Sequence, residues 1–373
     1  MKFSCLQENI KQGLNIIERI IGKNLSLPVL NTVLIETQKN YIKLCSTDLK
    51  MGISCWITGK VEREGSVCVP AKILSSYVNN LPNKKIEISA KENKLNLECE
   101  SYKTLISGFG SGDFPIIPQV KEKEFILIDS YKLCQGLSKV IGAVSLSETK
   151  PEISGVSVNF KNDFAKFVAT DSFRLAESAV SFDKPIKADK SIIVPSKTIQ
   201  EVIRIFNQPE EARQDLEIYS NPHQILFARN SQPKIQLTSR LIEGEYPNYE
   251  EIIPKGFLTK ITFNKNELSQ HVKIASFFSG RTNDLKIKID PDKKMVEFYS
   301  SSSDTGEHKS EIFSQIEGEK IETTFNCKYL MDGLANIEEE EVILELNGED
   351  KPGVLKPSKK KNYIYIVMPI KAV

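Results

Sequence analysis

The sequence predicts an α+β protein in which one domain, two helices on antiparallel sheet, is written three times. Three observations predict it. A short motif recurs at close to a third of the 373-residue chain, as Val69-Pro-Ala-Lys-Ile-Leu74, Val194-Pro-Ser-Lys-Thr-Ile199 and Phe325-Asn-Cys-Lys-Tyr-Leu330. Upstream of each copy, Ile10/Leu14/Ile17, Leu133/Leu137/Val140 and Leu268/Val272/Ala275 place apolar residues at i, i+4 and i+7, the one-face pattern of an amphipathic helix. Downstream, each copy closes on an aromatic or Met followed by Pro, at Pro115, Pro247 and Pro369. A unit this long is a domain rather than a solenoid repeat.

Taken in order, each copy reads helix, hairpin, second helix, then several strands. Helices are expected over 7–22, 71–80, 130–144, 195–206, 265–278 and 326–335. The hairpins come from alternating β-rich stretches broken by polar turns at Gln38 to Asn40, Lys161 to Asp163 and Asp290 to Asp292. Copies one and two share Thr47-Asp48 and Thr170-Asp171 at a strand end. Pro70 and Pro195 open the second helix, where a missing N–H is harmless. Helices covering one face of antiparallel sheet is the α+β arrangement this order implies. Charged or Pro/Gly joints near Lys121-Glu-Lys123 and Pro254-Lys-Gly256 set expected domains at 1–122, 123–255 and 256–373.

Composition is that of an ordinary globular chain, 40% apolar and 27% charged. No apolar run reaches the roughly 18 residues of a membrane span, and the first residues lack a signal peptide's apolar region. A cytoplasmic protein without membrane association is therefore expected. The seven cysteines form no CxxC pair and fall in strand- or helix-like patterns, which reads as buried free thiols.

The search for a catalytic constellation fails. His223, His271 and His308 have no Ser or Cys motif attached. Gly108-Phe-Gly-Ser-Gly112 lacks the Lys-Ser/Thr of a phosphate loop, and Glu338 to Glu341 alternate faces and read as a solvated loop. No metal, cofactor or catalytic residue is expected. An enzyme assembled from dispersed carboxylates and a β-rich surface adhesin are the competing classes; triplication argues against the first and free cysteines against the second.

Charge is sorted rather than abundant. The six predicted helices carry +5 against +1 for the whole chain. Lys72, Lys197 and Lys328 occupy one position of the repeat. Three solvated lysines is the plain alternative; three equivalent cations facing one axis would hold a phosphate backbone without reading sequence. Phe277-Phe278, just before Ser279-Gly280, would leave two large apolar rings at a helix end and suggest a subunit seam.

Seven segments resemble the β subunit of bacterial DNA polymerase III, the β sliding clamp family: Leu27-Pro-Val-Leu30, Ser46-Thr-Asp-Leu49, Val69-Pro-Ala-Lys72, Gly112-Asp-Phe-Pro115, Ala169-Thr-Asp-Ser-Phe-Arg-Leu-Ala176, Ser239-Arg-Leu-Ile-Glu-Gly-Glu-Tyr-Pro247 and Tyr365-Ile-Val-Met-Pro-Ile370. They span all three copies. The resemblance implies the DNA clamp fold, a head-to-tail homodimeric ring of six domains, and twelve helices around a hole for double-stranded DNA. It implies no catalysis. Expected partners are DNA, the replicative DNA polymerase, the clamp loader and other proteins bearing a clamp-binding motif.

The resemblance also implies a peptide pocket between the second and third domains, walled here by Ile153, Thr170, Ser172, Phe173, Arg174, Leu175, Pro247, Ile252, Ile366, Met368, Pro369 and Ile370. An apolar Met-Pro-Ile tail beside an apolar cleft at a domain joint is a usual peptide anchor on physical grounds too. DNA-contacting positions would be Lys23, Asn24, Ser147, Lys150 and Lys197, with Lys72 and Lys328 added by the repeat. The family seam would set Phe277 and Phe278 against the strand holding Lys103, Thr104 and Ile106. Two departures stand out: Ser172-Phe173 where the family has Gly-His, and the ending Lys371-Ala-Val373.

Overall fold

The structure is a computed structural model, described for all residues except 23–25, 40, 119, 121, 123, 148, 187–188, 208, 210–213 and 371–373. Among the described residues there are six α-helices: α1 (Gln7–Ile17), α2 (Ala71–Asn79), α3 (Ser130–Ile141), α4 (Ser196–Phe206), α5 (Lys265–Ser276) and α6 (Cys327–Ala335). α1, α3 and α5 lie where the apolar spacing places them, and α2, α4 and α6 start in the repeated motif. Ile10, Leu14 and Ile17 are buried in α1, Leu133, Leu137 and Val140 in α3, and Leu268, Val272 and Ala275 in α5.

Helix ends follow local chemistry. Asn264 Oδ1 accepts from the backbone N–H groups of Asn266 and Glu267, and Asn326 Oδ1 from Lys328 and Tyr329, so α5 and α6 carry side-chain N-caps. Pro70 and Pro195 instead end the strands that feed α2 and α4. Gly13 in α1 and Gly136 in α3 occupy one repeat position. A Cβ at Gly13 would meet Leu44 and Ile57 at 2.7 Å, and one at Gly136 would meet the Phe167 ring at 2.6 Å. Only glycine lets either helix lie that close to its sheet.

The compact units do not follow the repeat. One comprises Met1–Tyr131 with Arg204–Leu241, the other Lys132–Ile203 with Ile242–Val373. In the first, an eight-stranded sheet runs Ile126–Asp129, Asp215–Ser220, Gln224–Arg229, Lys234–Arg240, Met51–Ile57, Tyr41–Thr47, Thr32–Gln38, Gly65–Pro70. A five-stranded sheet beside it ends on Tyr102–Ser107. In the second unit, a nine-stranded sheet pairs Arg174–Ser181 directly with Tyr363–Val367, and a four-stranded sheet ends on Gly306–Phe313. All ladders are antiparallel where Lys234–Arg240 meets Met51–Ile57 and where Arg174–Ser181 meets Tyr363–Val367. Each long sheet is therefore shared between successive copies, which the repeat alone did not reveal.

All seven cysteines are free and buried. Burial pushes the thiols of Cys5 and Cys55 up to about 12, which keeps them protonated and inert. The acidic run lies at the surface, where Glu338 pairs with Lys139 at 3.0 Å and Glu339 accepts from the backbone N–H groups of Lys359 and Lys360. Among the described residues no helix is long and apolar enough to cross a membrane.

Candidate functional site

The shared Thr-Asp motif builds a four-residue turn. Thr170 Oγ1 donates to the Arg174 carbonyl at 2.7 Å, while Asp171 Oδ1 accepts from the N–H groups of Phe173 and Arg174 at 3.0 Å. The turn drives Ser172 to φ +76°, a left-handed conformation in which a glycine would be unstrained. Its consequence is exposure: Phe173, at the turn's far end, presents its ring with 61% of its surface open.

Arg174 then begins the strand and ties four neighbours together. Its Nε meets Asp171 at 3.0 Å, Nη1 pairs with Asp332, Nη2 donates to the Gly142 carbonyl at 2.7 Å, and the guanidinium lies over the Tyr329 ring. Leu175, next along, is buried in a cluster with Val168, Tyr249, Val354 and Ile366, flanked by Tyr246 and Ile253. Ile366 pairs with Leu175 across the ladder. Beyond the strand, the Met368 N–H donates to the Phe173 carbonyl at 2.8 Å and the Ile370 N–H to that of Thr324 at 2.8 Å. Met368, Pro369 and Ile370 are half-buried, so the tail is fixed yet still shows apolar surface.

The twelve expected wall residues therefore divide. Thr170, Ser172, Phe173, Arg174, Leu175, Ile366 and Met368 are joined by these contacts, with Pro369 and Ile370 following on the tail. Ile252 is exposed and hydrogen-bonded to Tyr249. Pro247 lines a separate cleft of about 530 Å³ with Phe164, Lys166 and Tyr246. Ile153 is buried, its carbonyl accepting from Ser145. Sequence reasoning missed Asp332, Tyr329, Tyr249 and Val354, which hold the site from the third copy or the linker. Only the Glu-Tyr-Pro segment hinted at Tyr249.

For the DNA positions, Lys72, Lys197 and Lys328 are each exposed and each the second residue of α2, α4 and α6. A cation in a helix's first turn opposes the helix dipole, so helix stability does not account for three of them. Lys150 is exposed, and the Ser147 hydroxyl bonds Thr149 at 2.8 Å. Lys23 and Asn24 lie outside the described residues.

The seam residues divide by exposure. Ile106 is buried in its own sheet and Thr104 half-buried, because alternation turns them inward; Lys103 and Leu105 face out, Leu105 being 60% exposed. Phe277 is exposed, but Phe278 is half-buried and stacks on His308.

Three copies of a two-helix, antiparallel-sheet domain make this a protein of the DNA clamp fold. Three family models match it: DNA polymerase III β subunit, N-terminal domain, over 1–118, central domain over 128–248, and C-terminal domain over 250–371. The chain is 29% identical over 395 residues to the beta sliding clamp of Synechocystis sp., covering all of both, and 27% identical over 381 to that of Staphylococcus epidermidis, covering 100% and 99%. A putative DNA polymerase III β subunit from Eubacterium rectale superimposes over the whole of both chains with a TM-score of 0.93 at 26% identity. The Bacillus subtilis sliding clamp has the same fold, TM-score 0.93 over both chains at 24% identity. The chain belongs to the DNA polymerase III β-subunit family. Its role is that of a DNA sliding clamp, a processivity subunit rather than an enzyme, with DNA and a DNA polymerase as its partners.

Proposed function

We propose that two copies join head to tail into a closed ring around duplex DNA, in the cytoplasm, each copy folding as domains 1–122, 123–255 and 256–373. The observation that carries this reading is a pair of sheet ends. Strand Tyr102–Ser107 closes the five-stranded sheet and Gly306–Phe313 the four-stranded one, and among the described residues neither has a second neighbour. Unpaired edges invite another strand. Apolar side chains stand beside both: Leu105 on the first, Phe313 and Phe277 near the second. Because each edge is on a different part of the chain, their pairing is heterologous, and a ring follows if two such contacts close.

DNA is held in this reading by Lys72, Lys197, Lys328 and Lys150, with Ser147, and with Lys23 and Asn24 assigned by family resemblance alone. Such contacts are sequence-blind and salt-sensitive, so retention comes from topology. The replicative polymerase, the clamp loader and other motif-bearing proteins dock a short peptide on Phe173, Leu175, Ile366 and the Met368 to Ile370 tail, with Ile153, Pro247 and Ile252 at its margin. Exposed apolar anchors over a buried floor support this.

The experiment is retention on DNA. Protein loaded onto a closed circle is expected to survive high salt and to slide off once the circle is cut. Equal loss from circular and linear DNA would sink the ring reading.

A further inference from the structure

The turn at Thr170 to Arg174 has a twin in the other compact unit. Thr47 Oγ1 donates to the Met51 carbonyl at 2.8 Å, Asp48 Oδ1 accepts from the N–H groups of Lys50 and Met51, and Leu49 sits at φ +74°. The strand that follows pairs with a strand of the next copy, Ser239 opposite Met51, as Val367 stands opposite Arg174. Even the hydrogen bond beyond the ladder is repeated: the Arg240 N–H donates to the Lys50 carbonyl at 2.9 Å, as that of Met368 does to Phe173. Lys50 thus takes the place of Phe173, and Arg240 that of Met368.

Between them lies a cleft of about 190 Å³. Leu49, Met51 and Ile116 contribute apolar walls, and Ile117 packs over Gly52, where a Cβ would meet it at 2.7 Å. Leu49 is 46% and Ile116 91% exposed, unusual for large apolar side chains. Lys50 and Arg240 are exposed at the rim, and neither side chain has an ion-pair partner among the described residues. In the turn's one carboxylate, Asp48, Oδ1 accepts from the backbone N–H groups of Lys50 and Met51.

We infer that this cleft is a second docking site, and that its occupant is an extended segment of a partner protein carrying an acidic side chain next to one apolar anchor. The volume accommodates a single apolar side chain. The two cations select for acid beside it and select against the basic segments that an apolar cleft alone would tolerate. Apolar ridge and cationic rim, built on one backbone plan, would let the two joints of the same chain hold chemically different peptides at once.

The test uses the full-length protein and a phage library of random hexapeptides. Panning is done on a Phe173→Ser/Met368→Ser variant, which silences the other face. Enriched hexapeptides are synthesised with a fluorescent label and titrated by anisotropy. Sequences pairing Asp or Glu with Leu, Ile, Phe or Met are expected, with binding weakened about tenfold or more by Lys50→Glu/Arg240→Glu. Ile116→Ser, a change at an exposed position that leaves the fold intact, should weaken the same peptides, and wild-type protein should bind them as the panning variant does. No enrichment of acidic–apolar pairs, or binding indifferent to Lys50→Glu/Arg240→Glu and to Ile116→Ser, would overturn the inference. Neither result bears on whether the Phe173–Met368 face takes peptides.

Discussion

The guanidinium of Arg174 lies 4.4 Å from the centre of the Tyr329 ring, a second-copy cation seated on a third-copy aromatic. With Asp171 and Asp332 also on it, Arg174 fastens two copies within one compact unit. Arg174→Ala leaves both carboxylates without their cation and strips the face of Tyr329. A loss of about 2 to 4 kcal/mol is expected in urea unfolding. Arg174→Lys should recover only part of it, because an ammonium cannot serve four directions at once.

Ser172 and Leu49 both occupy left-handed backbone, at φ +76° and +74°. Ser172→Gly and Leu49→Gly remove that strain but loosen the unfolded chain. A net gain of about 0.5 kcal/mol each is expected. Thermal midpoints that fall in both variants would show the turns to be unstrained.

Phe277→Asp alone should yield a folded monomer. Its ring is 63% exposed, whereas Phe278 stacks on His308 and supports its own domain. Phe278→Asp should therefore lower the melting temperature as well as the mass. Light scattering at unchanged mass for Phe277→Asp would remove this residue from the seam.

Changing Lys72, Lys197 and Lys328 together to Glu should separate function from stability. Each new carboxylate falls in a first helical turn, where it suits the dipole, so the melting point should hold or rise slightly. Loading onto DNA should fall, most of all at low salt. Normal loading would make the three lysines ordinary surface residues.

His271 offers a pH test. Burial holds its imidazole below the usual range, opposed by Glu267 and reinforced by His308, while its Nδ1 sits 2.8 Å from Ser310 Oγ. A depressed pKa gives stability that is full above the unfolded value, roughly 6.5, and lost as pH falls below it. Melting temperature should thus drop between pH 7.5 and 5.5, and His271→Gln should drop less.

Much of this was legible in the chain because repetition is a sequence property. Ile10, Leu14 and Ile17 and their counterparts declared the helices through spacing alone, and the buried outcome follows from burying one face. The Thr-Asp pairs were visible, but the left-handed residue after each was not, since Leu49 and Ser172 are not residues that advertise such a backbone. Pairing between copies was hidden for another reason: register between strands as remote as Arg174–Ser181 and Tyr363–Val367 leaves no local signal. Ile106 came to the seam through the resemblance, which names a strand but not the face that each of its side chains takes.

The ladder between Arg174–Ser181 and Tyr363–Val367 sets an order on synthesis. A ribosome releases the first of these strands long before the second exists. Until the whole third copy has emerged, the nascent chain must carry Arg174–Ser181 as a bare edge, open to whatever strand another chain supplies. Completion of this sheet therefore waits on the synthesis of Tyr363–Val367, and the span before it is when the open edge is most exposed to aggregation.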